Sequence, residues 1–285
     1  MNSLTVNYTN RMKRVFSLAV QEMENTNHSS LTPVHLLLGF LQEKTGVLGE
    51  IKLKASLDEV ALRNCSEGSS NDESFFDEQL QLYVTADVKE VLEKASIYMQ
   101  HYNQILVNEG HVLKALLTNA TMNRFITEEQ KQTMLNLGTT ARDMITHLHG
   151  YTFPQKVNTL NIKKVTRADR ENLLSFVEQC FSTEWKQTVE SGIHTDHPPI
   201  YIACNDDGKV IGFAAFDVYQ QKKGYFGPMG VVMDKRVRGI GYSLLHHCLR
   251  DMKDIGYEYA IIGGAGPMEF YEKACHAVVI PKNGL

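Results

Sequence analysis

Long apolar runs are missing from this sequence. None approaches the ~18 residues that a membrane-crossing helix needs, and the opening MNSLTVNYTNRMKR lacks the apolar core of a secretory signal. Paired cysteine motifs are missing too. The five cysteines, Cys65, Cys180, Cys204, Cys248 and Cys275, are odd in number and widely spaced, with no CxxC pair. They read as free thiols in a reducing compartment, with no disulfide framework and no metal site. A surplus of positive charge is also absent. The formal charge is −4, which argues against general nucleic-acid binding because that needs a basic face. No GxxxxGK[ST] occurs, so P-loop nucleotide hydrolysis is excluded. These absences predict a cytoplasmic protein with neither nucleic acid nor membrane as a partner.

What is there falls into two halves. Residues 1–148 read as helix throughout. Met12, Val15, Phe16, Ala19 and Met23 recur at helical spacing. The run Val34-His35-Leu36-Leu37-Leu38-Gly39-Phe40-Leu41 is Leu-rich and short of β-branched residues, and Thr32-Pro33 before it makes a good helix start. The polar stretch 66–74 reads as a loop. Seven identities, Thr9/Thr85, Val15/Val91, Ala19/Ala95, Met23/Met99, Asn27/Asn103, His35/His111 and Leu37/Leu113, share one offset of 76 residues (85 − 9, 111 − 35). They imply two copies of one helical unit, about 5–70 and 81–148, packed as a pseudo-dimer. His35 and His111 each fall on the first turn of an apolar helix, where the ordinary role is capping or backbone hydrogen bonding.

The Thr-led first helix followed by Thr32-Pro33-Val34-His35-Leu36-Leu37-Leu38-Gly39 resembles the duplicated amino-terminal domain of Clp-type chaperone ATPases, over roughly residues 5–148. That resemblance implies recruitment of protein substrates or adaptors. In some members a Glu just before the motif His helps bind phosphorylated arginine. Here Val34 and Gly110 occupy those places, so phosphoarginine recognition is not expected.

Residues 149–159 carry Gly, Pro and polar residues without a period and read as a linker. Residues 160–285 alternate strand and helix. Strands are expected at 160–165, 200–204, 210–218, 225–233, 257–262 and 277–280. Helices are expected at 167–181, 184–190, 243–252 and 268–274. Asn205-Asp206-Asp207-Gly208 makes the hairpin turn, and Gly256 ends the third helix. This order implies a mixed sheet flanked by helices. The expected fold is therefore α/β mixed in two domains, an all-α duplicated domain at 1–148 and an α/β domain at 160–285.

The chemistry concentrates where strand 225–233 meets the next helix, at Arg236-Val237-Arg238-Gly239-Ile240-Gly241. Backbone amides at a helix N-terminus have no intrahelical acceptor, and the helix dipole adds positive potential. Glycines keep Cβ atoms away from an anion seated there, and Arg236 and Arg238 add charge. Two glycines alone also fit an ordinary tight turn. A dinucleotide fold fits poorly, because it needs GxGxxG early in its domain.

Arg-x-x-Gly-x-Gly after a Val-rich strand, with Phe270-Tyr271-Glu272-Lys273 about 30 residues downstream, resembles the GNAT superfamily of N-acetyltransferases over residues 160–285. The resemblance implies acetyl-CoA as co-substrate, without a metal. It implies cofactor contacts from Val231, Val232, Met233, Arg236, Val237, Arg238, Gly239, Ile240, Gly241, Tyr242 and Ser243, with Tyr271 as the general acid. Backbone N–H groups along 231–233 would stabilise charge on the thioester carbonyl. A base for the incoming amine is not evident. Glu184, Asp217 and Glu269 are candidates that also fit solvated surface acids. Gly263-Gly264-Ala265-Gly266-Pro267 reads equally as a flexible connection or as a strand end that must approach a ligand. Cys275 reads as structural.

Two departures from the family shape the expectation. The chain stops at Leu285, so the usual final strand of the sheet is expected to be lacking. Cys275-His276 stand where members often have Gly. The acceptor side would then be incomplete, or completed by another chain as in a homodimer. Two functions follow: acetyl transfer to a primary amine, small-molecule or protein, with the helical half recruiting a protein; or a catalytically weak acyl-CoA-binding adaptor that docks to a Clp-type chaperone or protease system.

Overall fold

The computed structural model describes residues 6–66, 73–157 and 161–282. It divides into two units, Met1–Ala141 with Pro281–Leu285, and Arg142–Ile280. The first runs α1 (Asn10–Asn25), α2 (Pro33–Gln42), α3 (Val47–Lys54), α4 (Glu59–Ser66), a hairpin of β1 (Ser74–Asp77) and β2 (Leu82–Thr85), then α5 (Ala86–His101), α6 (Glu109–Thr118) and α7 (Glu128–Gly138). Most of the loop expected at 66–74 lies outside the described residues, as does the side chain of Cys65.

The repeat has a local cause at each identity. Thr9 and Thr85 both cap helices, accepting from the N–H groups of Met12 and Val88. Asn27 and Asn103 both turn the chain with a left-handed backbone, at φ 54° and 51°. His35 and His111 close capping boxes: the Nδ1 of each accepts the N–H of Thr32 or Asn108 at 3.2 Å. The two copies then exchange equivalent contacts. Thr9 N–H donates to Val107 C=O and Thr85 N–H to Leu31 C=O, both at 3.0 Å. Shifting either bond by 76 residues produces the other, which is the signature of an isologous, two-fold interface. Polar contacts break the symmetry. Buried Arg11 pairs with buried Glu109 at 2.5 Å, whereas its counterpart Asp87 accepts from the Thr121 hydroxyl at 2.7 Å.

The second unit contains β3 (Arg142–His147), β4 (Ile162–Lys164), α8 (Arg170–Cys180), α9 (Thr183–Ile193), β5 (Ile200–Cys204), β6 (Val210–Phe216), β7 (Tyr225–Val231), α10 (Ile240–Ile255), β8 (Tyr259–Ala265), α11 (Met268–Cys275) and β9 (Val278–Val279). One seven-stranded sheet has the order β4-β5-β6-β7-β8-β3-β9. Only β7 and β8 pair in parallel. Six of the seven strands match those expected.

The seventh, with the β1–β2 hairpin, corrects the expectation of helix throughout 1–148. Residues 74–77 and 82–85 pair as antiparallel strands, and residues 142–147 form β3, antiparallel to both β8 and β9. β3 comes from ahead of the segment that carries the other six strands, and no described strand follows β9. Polar residues hid β3. Arg142, Met144 and Thr146 are the buried set, with an Arg142 guanidinium N–H on the Ile280 carbonyl at 2.9 Å and the Thr146 hydroxyl on the Cys275 carbonyl at 2.5 Å. The expected linker is also packed where it is described. The Tyr151 ring stacks on His246 of α10, with its hydroxyl 2.8 Å from Nδ1, and Arg250 lies over the Phe153 ring at 4.5 Å.

The sheet's two faces are distinct. Val177, Val189 and Ile193 of α8 and α9 pack with Phe213 and Ala215 of β6 on one face. On the other, Leu244 of α10 lies against Gly212 of β6. Strand alternation carries these faces into β7: Gly230, opposite Phe213, faces α8 and α9, and Val231, opposite Gly212, faces α10.

Candidate functional site

β7 and β8 pair only at Tyr225/Ile261 and Phe226/Ile262. Beyond Phe226, β7 keeps its antiparallel partner β6, while Gly263, Gly264 and Ala265 of β8 no longer pair with it. A gap opens between two strands of one sheet. Val232 N–H bonds to Ile211 C=O of β6 at 3.0 Å. By alternation, the N–H of Val231 points away from β6, into the gap. Of the three expected amides at 231–233, Val232's is therefore engaged within the sheet.

After the gap the chain makes a short 3-10 turn, Met233–Arg238, and then Gly239 in a left-handed conformation (φ 73°). α10 starts at Ile240, three residues earlier than expected, and no side chain caps it. Ser243 N–H bonds Gly239 C=O at 3.0 Å as the first intrahelical bond. That leaves the amides of Ile240, Gly241 and Tyr242 without an intrahelical acceptor. A Cβ on Gly239 would meet no atom within 4 Å, so the space beside these amides is open. Arg236 folds back, its Nε on Val231 C=O at 2.9 Å, and burial lowers its pKa. Met233 is exposed. The side chains of Val237 and Arg238 lie outside the described residues.

The downstream motif meets this turn. A Cβ at Gly241 would lie 3.8 Å from Val231, 3.9 Å from the Phe270 ring and 4.0 Å from Met229. Tyr271 is buried, its ring edge-on to Phe226 at 6.3 Å, beside the point where β7 and β8 part. Burial, then the nearby Cys275, pushes its phenol well above the ordinary range. Its proton is therefore retained at every physiological pH. Cys275 is itself buried, its thiol pushed up to about 11, in keeping with a structural role.

The acids considered as bases resolve differently. Glu184 is exposed on the first turn of α9. Asp217 is no surface acid: it accepts from Gly224 N–H at 2.8 Å and the Tyr257 hydroxyl at 2.7 Å, bracing the β6–β7 connection. Glu269 pairs with Lys273 one helical turn on. The glycine run has a specific cause. A Cβ on Gly263 would sit 2.0 Å from the Tyr225 ring, so this glycine lets an aromatic ring lie on the strand. Gly264 N–H donates to Asp143 of β3 at 2.8 Å. Asp143 was invisible as a site residue, because β3 itself was unrecognised. Among the described residues no group of three or more His, Cys, Asp or Glu could hold a metal ion.

The chain thus carries a duplicated helical unit followed by a mixed sheet whose parallel pair splays beside an uncapped helix start. Two family models match these segments. The acetyltransferase (GNAT) family matches residues 164–277, and the Clp repeat (R) N-terminal domain matches residues 7–129. Among curated proteins no sequence matches. Similar solved structures include the N-terminal domain of the Arabidopsis thaliana caseinolytic-protease-associated chaperone ClpD (18% identity, 49% of this chain and 94% of that one, TM-score 0.37). Others are a GCN5-related N-acetyltransferase from Sphaerobacter thermophilus (22%, 54% and 54%, 0.41), and the Escherichia coli GNAT family N-acetyltransferase YhbS in complex with CoA (22%, 38% and 63%, 0.29). The chain spans less than two thirds of either acetyltransferase. No helix among the described residues is long and apolar enough to cross a membrane.

Proposed function

We propose that residues 142–280 transfer an acetyl group from acetyl-CoA to a primary amine. One observation carries this reading: the uncapped start of α10 opens beside the β7–β8 gap, and Tyr271 stands at the base of that gap. Acetyl-CoA brings an acyl group activated as a thioester and a pyrophosphate. The amides of Ile240, Gly241 and Tyr242 receive the pyrophosphate, aided by the dipole of the sixteen-residue α10. Arg236 and Arg238 supply further positive charge, and exposed Met233 lines the approach, whereas the Ser243 side chain is buried. The Val231 N–H, aimed into the gap, polarises the thioester carbonyl. The neutral amine forms the new N–C bond and the C–S bond breaks. Tyr271 gives its proton to the departing sulfur and regains one from solvent. The nitrogen loses its proton to water, or to a base that none of Glu184, Asp217 and Glu269 is placed to supply. Products are an amide and coenzyme A.

The Clp-type domain match supports a protein-recruiting role for the helical unit. Calorimetry with acetyl-CoA, followed by a thiol-release assay over a panel of amines, tests the proposal. Tyr271→Phe should retain acetyl-CoA binding and lose turnover by about 100-fold or more. Tight binding with no thiol release from any amine would make the protein an acyl-CoA-responsive adaptor instead.

A further inference from the structure

The gap has a second face, and its residues are set for a cation. Tyr225 precedes Phe226, so its side chain emerges on the face opposite Tyr271, the face shared with α9. Its ring lies across Gly263 of β8, and its hydroxyl donates to Asp143 of β3 at 3.3 Å. Burial, then the Asp143 charge, raises the Tyr225 phenol to about 12. Tyr219 stacks on Tyr225, ring centroids 5.2 Å apart and planes 22° from parallel. The Lys222 ammonium sits over both rings, 5.3 and 5.6 Å from their centroids.

Three features distinguish this cluster from ordinary surface. Asp143 is exposed and forms no ion pair with any described residue; both of its side-chain hydrogen bonds fall on Oδ1. Lys222 likewise has aromatic rings but no carboxylate as its partners. Asp217, Gln220 and Gln221 all take left-handed backbones (φ 60°, 50° and 56°) in the connection that presents Tyr219. Strain of this kind persists where surrounding structure enforces it, and it gathers at functional sites.

We propose that the Tyr219–Tyr225 stack, edged by Asp143, is an acceptor subsite for a positively charged alkylammonium group, and that Lys222 occupies it in the unliganded protein. The inference rests on the acetyltransferase reading for its role, since it places the acceptor on the gap face opposite Tyr271. The favoured acceptor carries two nitrogens, one charged on the shelf and one neutral at the thioester. A free diamine and a peptide with a lysine beside its amino terminus share this chemistry.

The test is direct binding of 1,4-diaminobutane to the full chain by calorimetry, with and without acetyl-CoA, alongside a Lys-containing peptide and a neutral arylamine. Removing the resident ammonium with Lys222→Met should tighten diamine binding about threefold, and Tyr219→Leu should weaken it by a similar factor, in line with one cation–π contact. Asp143→Asn should weaken diamine binding about tenfold, and binding of the neutral arylamine far less. A purely structural cluster would not respond to Lys222→Met with a gain. No diamine or peptide binding at millimolar concentration overturns the proposal, as does a Lys222→Met variant that binds no tighter. Whether the diamine or the peptide binds tighter identifies the source of the ammonium. Diamine binding without any acetyl-CoA binding would leave this subsite standing and sink the acetyltransferase reading, so the two fail separately.

Discussion

His35 shows how one side chain is fixed by its neighbours. Nδ1 takes the Thr32 N–H, Nε2 lies 2.9 Å from the Thr26 hydroxyl, and the ring is fully buried. Burial, then the nearby His28, lowers its pKa from 6.5 to about 4; burial does the same to His111. The unfolded chain therefore binds more protons than the folded one between pH 6.5 and 4. Stability is fully present above this window and is lost as pH falls through it. Urea midpoints of the helical transition should drop from pH 7 to pH 4.5, and His35→Gln should flatten that dependence. The expectation of a capping histidine was readable from its place on a first helical turn. His276 is a different case. It holds φ 55° at the C-terminal cap of α11, the conformation that glycine takes most easily. His276→Gly should stabilise the domain by about 1 kcal/mol in chemical denaturation.

Elements were legible where periodicity and punctuation agreed. The 200–204 and 210–218 hairpin, the Gly256 stop and the 76-residue repeat all follow from residue type and spacing. The start of α10 was not, because no capping side chain marks it; the signal was Gly239 instead. A methyl at Gly239 meets open space but the wrong φ. Gly239→Ala should therefore cost about 1 kcal/mol of stability and weaken acetyl-CoA binding, both readable in one calorimetric series. β3 was missed for the opposite reason. Its buried face carries Arg142, Met144 and Thr146, so hydrophobic alternation fails even though burial alternates. Asp143 was lost with it, and so was half of the second face of the gap.

The boundary between domains is where sequence reading and structure diverge most. The expected acetyltransferase segment, 160–285, leaves out β3, which fills the place between β8 and β9. A fragment beginning at residue 160 should therefore be unfolded or aggregated, because β8 and β9 would each present an unpaired edge. One beginning at residue 140 should give the far- and near-ultraviolet dichroism of a packed domain. Equal folding by both fragments would show that β3 is dispensable.

The position of β3 also sets an order of events during synthesis. Its partner in β8 is more than a hundred residues further along the chain: Met144 pairs with Ile262. As the polypeptide leaves the ribosome, β3 is the first strand of its sheet to emerge and must wait, unpaired, until β8 has been made. The helical unit, whose contacts are nearer in sequence, can mature meanwhile. A ribosome that stalls before β8 releases a chain able to fold its helical unit and unable to close its sheet. On the function proposed above, such a product would keep the binding of the helical unit and lack the acyl transfer.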